Sequence, residues 1–129
     1  MFLRNAWYVA AWDHEVAAGT LFSRILLNEP LVLFRQRDGR VVGLEDRCCH
    51  RHYPLHKGAL IDDCIRCHYH GFTYDSTGAC VRIPGNLYVP DAERVKRYPV
   101  VERHRWIWVW MGEPALADES KIVDFHWLD

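Results

Sequence analysis

Apolar residues recur along this chain in short runs broken by turn residues, and nowhere settle into the 3.6-residue period of an amphipathic helix. Residues 21–28, 31–35 and 41–44 read as strands. Asn28-Glu29-Pro30 and Arg37-Asp38-Gly39-Arg40 fall between them as turns, because glycine and proline supply the dihedrals that turns require. Another hairpin is expected at Asp75-Ser76-Thr77-Gly78, and residues 13–18 leave room for one helical turn before Gly19. Trp106-Ile107-Trp108-Val109-Trp110 alternates strictly, so its three tryptophans share one strand face and Ile107 and Val109 share the other. That pattern fits packing better than a ligand platform or an electron conduit. The sum is an all-β fold of antiparallel sheets. Beyond Gly112 the segment Glu113-Pro114-Ala115-Leu116-Ala117-Asp118-Glu119-Ser120 loses strand character, so residues 1–112 are expected to form the domain and 113–129 a linker or tail.

Composition narrows the class. A length of 129 residues fits one domain with a modest core. With 50% hydrophobic and 26% charged residues and a net charge of −1, neither disorder nor a basic nucleic-acid surface is indicated. Arg4 and Asn5 interrupt the apolar start, and no run reaches membrane-spanning length, so neither a secretory signal nor a membrane partner is expected. Five cysteines is an odd number without a secretory context, which points to a cytoplasmic location with thiols and metal ligands rather than a disulfide framework. Of eight histidines, four (His50, His52, His68 and His70) crowd around two cysteine-bearing blocks.

Those blocks are Cys48-Cys49-His50 and Cys67-His68-Tyr69-His70, sixteen residues apart, and they spell C-x-H…C-x-x-H. The pattern is that of a Rieske [2Fe–2S] cluster, in which Cys48 and Cys67 hold one iron and His50 and His70 the other. Neutral imidazoles in place of two thiolates remove two negative charges, which eases electron uptake and places the potential between about −150 and +300 mV. A competing reading joins Cys64 and Cys67 in a zinc knuckle, completed by Cys48, Cys49 or a histidine. It leaves the Cys48–His50 spacing unexplained. Cys64 and Cys80 read as packed strand residues, Cys49 as a bystander, and His52 and His56 as exposed loop residues. Gly71, directly after His70, fits either a close backbone approach to the site or an ordinary tight turn.

The chain resembles the Rieske non-heme iron oxygenases, particularly the vanillate and dicamba O-demethylase type. Arg4-Asn5-Ala6-Trp7-Tyr8-Val9-Ala10, Cys48-x-His50-Arg51-x-x-Pro54-Leu55, Cys67-x-Tyr69-His70-Gly71, Ile107-Trp108-Val109-Trp110 and Ala115-Leu116-Ala117-Asp118 carry the resemblance, which extends over essentially the whole chain. It implies a Rieske fold with a small cluster-binding subdomain built on antiparallel sheets. Cys49 and His68 stand where proline is common in the family. Respiratory Rieske proteins carry an extra cysteine in each ligand loop and a serine beside the cluster. Here Tyr53, Tyr69 and Phe72 occupy those positions, while Tyr74 remains able to donate to a cluster sulfur. Fewer hydrogen bonds imply a potential near the low end, about −150 mV.

The resemblance also implies partners. Family members receive electrons from a flavin or ferredoxin-type reductase and assemble as homo-oligomeric rings. In them the cluster of one subunit faces a mononuclear Fe(II), held by two histidines and a carboxylate in a catalytic domain, on its neighbour. This chain shows no such set, since Asp124, His126 and Asp129 offer one histidine only, so the mononuclear iron is expected on other polypeptide. The leading expectation is an electron-relay domain of an aromatic-ring hydroxylating or O-demethylating oxygenase, unable to activate oxygen alone. A freestanding Rieske ferredoxin is the alternative. Arg47, Arg51, Lys57 and Arg66 around the blocks are read either as a basic collar for an acidic partner or as ordinary solvated charges.

Overall fold

A computed structural model describes residues 3–49, 53–68 and 70–129. Its eleven strands are β1 (Ala6–Trp12), β2 (Phe22–Leu26), β3 (Glu29–Arg35), β4 (Val41–Glu45), β5 (Ala59–Ile61), β6 (Cys64–Arg66), β7 (Thr73–Tyr74), β8 (Cys80–Arg82), β9 (Arg97–Tyr98), β10 (Val100–Arg103) and β11 (Trp106–Met111). They form three antiparallel sheets, ordered β1-β11-β10, β2-β3-β4-β9 and β5-β6-β7-β8, and only short 3-10 turns interrupt them. The expected all-β class is the observed one. No helix among the described residues is long and apolar enough to cross a membrane.

The middle sheet explains how one short domain makes two cores. In β3 the run Leu31-Val32-Leu33-Phe34 is buried on every residue, although neighbouring side chains point to opposite faces. Leu31 and Leu33 pack with Ile107, Val109, Met111 and Tyr98 toward the β1-β11-β10 sheet. Val32 and Phe34 pack with Leu44, Leu55, Ile65, Tyr74, Cys48 and Cys67 toward the small sheet. Each fully buried side chain of this size is worth about 1.5–3 kcal/mol of transfer free energy, so both faces must be covered. The cysteines of the two blocks therefore sit in the second core. Arg35 ties down the end of β3: its guanidinium grips Glu102 bidentately at 2.8 and 3.1 Å and donates to the Asp13 carbonyl at 3.0 Å, while its Nε donates to the Val16 carbonyl.

The hairpins at Arg37–Arg40 and Asp75–Gly78 form as expected, closed by Gly39 N–H to Gln36 O and Gly78 N–H to Asp75 O. The turn expected at Asn28-Glu29-Pro30 lies earlier. Leu27 and Asn28 take φ of 50° and 64°, and Glu29 and Pro30 already belong to β3, opposite Leu26 and Ile25. Two left-handed residues in sequence match the right-handed twist of the flanking strands, and Asn tolerates this region. The same device closes β5-β6 at Asp62-Asp63 and β10-β11 at His104-Arg105. The expected helical turn after Trp12 is a 3-10 turn over Asp13–Glu15.

Trp106, Trp108 and Trp110 do share one face of β11, with Ile107 and Val109 on the core side. Residues 113–129 lie back across that tryptophan face. The Trp7 and Trp110 indoles donate to the carbonyls of Asp118 and Glu113 at 2.9 and 2.8 Å, the Phe125 ring meets Trp106 edge-on at 5.2 Å, and Ile122 is buried.

Candidate metal centre

Cys48 follows β4 and Cys67 follows β6, and both are only 1% exposed within one core cluster. Their loops close alike. Cys48 N–H donates to Tyr53 O at 2.8 Å and Cys67 N–H donates to Phe72 O at 2.7 Å, so each chain returns to its strand five residues beyond the cysteine. In the second loop His70 and Gly71 take φ of 66° and 72° in succession, which turns the chain and leaves His70 exposed while Cys67 is buried. Gly71 forms the tight turn, its N–H donating to Cys67 O at 3.2 Å, and a Cβ there would lie 3.2 Å from Pro84 Cγ. His50 lies outside the described residues, as do Arg51, His52 and Tyr69. Tyr53 of the first loop faces His68 of the second at a tilt, ring centroids 6.4 Å apart.

Two close packing points hold the loops. Pro54 opens a 3-10 turn over Leu55–Lys57 that drives Leu55 into the core, and Gly58 then passes the Arg66 carbonyl so closely that a Cβ would stand 2.2 Å from its oxygen. Arg66 precedes Cys67, so Gly58 fixes one loop against the strand that carries the other. His56, expected as an exposed loop residue, is instead half-buried, because its backbone N–H and its Nδ1 meet the two oxygens of the buried Asp46 carboxylate at 2.7 and 2.5 Å. A carboxylate at 5% exposure needs such partners.

The polar chemistry converges on Tyr74, fully buried in β7. Its hydroxyl lies 3.1 Å from Cys48 Sγ and 3.0 Å from Cys49 Sγ, and its oxygen accepts Cys49 N–H at 3.0 Å. Cys49 Sγ in turn donates to Glu93 Oε2 at 3.0 Å. Burial pushes the Cys49 thiol up to about 12, with the Glu93 carboxylate adding to the rise and Tyr74 opposing it. Burial, followed by the Cys48 and Cys49 contacts, raises Tyr74 as well. The expected Tyr74 contact with a cysteine sulfur is present. Cys49 is more than a bystander, and its partner Glu93, forty-four residues away, carries no local signal in the sequence. Cys64 is half-buried in β6 and Cys80 buried in β8, as strand residues.

Two buried sulfurs of one core, a hydroxyl aimed at one of them and an exposed imidazole on the rim suit a group bound by thiolates inside and imidazoles outside. Among the described residues no three or more His, Cys, Asp or Glu side chains are grouped so as to hold a metal ion, and His126 is exposed beside Asp124 at 3.1 Å.

Comparison with known proteins bears on the same region. The model of the Rieske [2Fe-2S] domain matches residues 6–99. The chain is 57% identical over its whole length to the toluene-4-sulfonate monooxygenase system iron-sulfur subunit of Comamonas testosteroni, covering 37% of that protein. It is 48% identical to the dicamba O-demethylase oxygenase component of Stenotrophomonas maltophilia, over 96% of this chain and 37% of that one. A crystal structure of dicamba monooxygenase with non-heme iron and dicamba superposes with a TM-score of 0.93 at 44% identity, covering 98% of this chain and 39% of that chain. The chain thus spans little more than a third of the relatives it matches. Fold, paired cysteine loops and family match agree, and this chain belongs to the Rieske [2Fe-2S] domain family.

Proposed function

We propose that the chain is the electron-relay domain of a Rieske oxygenase, with Cys48 and Cys67 on one iron of the [2Fe–2S] cluster and His50 and His70 on the other. When bound, the cluster supplies a one-electron store at moderate potential. The single observation that carries this reading is the asymmetry of the described donors: Cys48 and Cys67 are 1% exposed, whereas His70 is at the surface. The buried side holds charge away from water, and Tyr74 gives one sulfur a hydrogen-bond donor. The imidazole rim is where a partner reaches the centre. Arg47, Lys57 and Arg66, next to the ligand blocks in sequence, are exposed, and a cleft of about 600 Å³ lined by Arg24, Ile25, Asp46, Arg47, Pro54 and His56 opens beside the first loop. An acidic flavin or ferredoxin-type reductase suits this surface through electrostatic steering.

The electron recipient in this reading is a mononuclear Fe(II) held by a catalytic domain or subunit outside residues 1–129, in a homo-oligomer, and an aromatic acid or aryl methyl ether is the substrate class. Residues 113–129 form the passage toward that domain, and a cytoplasmic location is in keeping with the cysteine usage. A freestanding Rieske ferredoxin would use the same four ligands. Similarity to oxygenase components over the whole chain favours the relay.

The test is direct. Protein purified anaerobically should carry two irons and two acid-labile sulfides per chain, with the visible and EPR spectra of a Rieske centre, and a cognate reductase should reduce it faster at low than at high ionic strength. A colourless zinc-loaded product would overturn the cluster. Reduction rates indifferent to salt would remove the collar.

A further inference from the structure

Tyr74 has one proton and two sulfurs within reach: Cys48 Sγ at 3.1 Å and Cys49 Sγ at 3.0 Å. The hydroxyl cannot swing toward one at will, because Cys49 N–H donates to its oxygen at 3.0 Å and fixes its place. What Cys49 offers depends on its own proton. That proton is directed to Glu93 Oε2 at 3.0 Å, so the lone pairs of Cys49 Sγ are left facing the Tyr74 hydroxyl. Were Glu93 absent, the thiol could donate to the Tyr74 oxygen 3.0 Å away, and it would then support the hydroxyl instead of competing for its proton.

We infer that Cys49 and Glu93 are positioning residues that divide the Tyr74 proton between the cluster ligand Cys48 and a neighbouring thiol, holding the reduction potential below the value Tyr74 alone would set. The inference rests on the ligand role proposed for Cys48. A hydrogen bond to a ligand sulfur stabilises the added electron, since the donor meets more negative charge in the reduced cluster. Diluting that bond lowers the potential. Position 49, where proline is common in the family, thereby acquires a tuning function in this chain.

The experiment is a thermodynamic cycle on the cluster-loaded protein, read as midpoint potential by spectroelectrochemistry with iron and sulfide content measured on every sample. Cys49→Ala should raise the potential, because its backbone N–H still holds Tyr74 while the competing sulfur is gone. Cys49→Ser, whose hydroxyl donates to Glu93 and offers lone pairs to Tyr74, should return it toward the parent value. In a Tyr74→Phe background Cys49→Ala should shift nothing. Glu93→Ala should change the potential more in the parent than in the Cys49→Ala background, where only its charge acts. A potential unchanged by Cys49→Ala, or a shift that persists in the Tyr74→Phe background, overturns the inference. If the Tyr74→Phe variant fails to assemble, Cys49→Ala and Cys49→Ser decide alone, and equal shifts in both count against it. Parent protein devoid of iron and sulfide would instead remove the proposed function beneath it.

Discussion

Removing the Tyr74 hydroxyl should lower the reduction potential while leaving the cluster assembled. In Tyr74→Phe the ring keeps its place in the core, since Tyr74 is fully buried and only the oxygen is deleted. Three contacts disappear with it: those to Cys48 Sγ at 3.1 Å and Cys49 Sγ at 3.0 Å, and the acceptor for Cys49 N–H at 3.0 Å. A hydrogen bond to a charged group contributes about 1.5–3 kcal/mol, and the part that differs between oxidised and reduced cluster is about 1–1.5 kcal/mol. At 59 mV per tenfold change for one electron, this is a fall of about 40–65 mV. The orphaned amide of Cys49 costs a further 1–3 kcal/mol, roughly, of stability, or about 3–5 °C in Tm for each kcal/mol at this chain length. Redox titration followed by visible circular dichroism gives the first quantity, and calorimetry the second. A potential within about 10 mV of the parent, in protein with full iron and sulfide, would refute the argument that this hydroxyl acts on a ligand sulfur.

Gly58→Ala should destabilise by about 1–3 kcal/mol and reduce iron content, because its Cβ would stand 2.2 Å from the Arg66 carbonyl oxygen and must push the strand that leads into Cys67; unchanged Tm and iron stoichiometry would contradict it. Ile122→Ala should cost about 2–3 kcal/mol in denaturant unfolding, since this side chain is 7% exposed in the carboxyl-terminal segment, whereas a segment detached in solution would give no change. Glu29 gives a pH effect. Burial raises its pKa, but hydrogen bonds from Tyr98 and Arg4 and the charges of Lys96 and Arg4 outweigh it, so the folded value lies below 4.5. Its stabilisation is therefore present above about pH 4.5 and is lost as pH falls through the lower folded value. Glu29→Gln should flatten the acid limb of unfolding midpoints between about pH 5 and 3 relative to the parent, and parallel curves would show that the Glu29 contacts carry no linkage.

Much of the candidate site was legible because its determinants are local. Cys48 and Cys67, with His50 and His70, announce themselves by spacing, and the glycine hairpins at Gly39 and Gly78 by residue type. The turns at Leu27-Asn28, Asp62-Asp63 and His104-Arg105 were not legible, for they reach φ > 0 without glycine and are held there by the strands they join. His56 read as a solvated loop residue because its partner Asp46 lies ten positions back, outside any local pattern. The contacts of the carboxyl-terminal segment with Trp7 and Trp110 were not legible either, because they are made across the sheet, with Trp7 bonding to Asp118 over 111 positions.

The sequence by itself determined the β class and the family and proposed the donor set, since those depend on which residues follow one another within a loop or a strand. Only the tertiary structure decided which thiol accompanies the site and what surrounds it. Cys49 and Glu93 meet because the loop after β4 and the loop ahead of β9 come together beside Tyr74 of β7, where each buried polar group must find a partner. Spacing along the chain carries no record of that requirement.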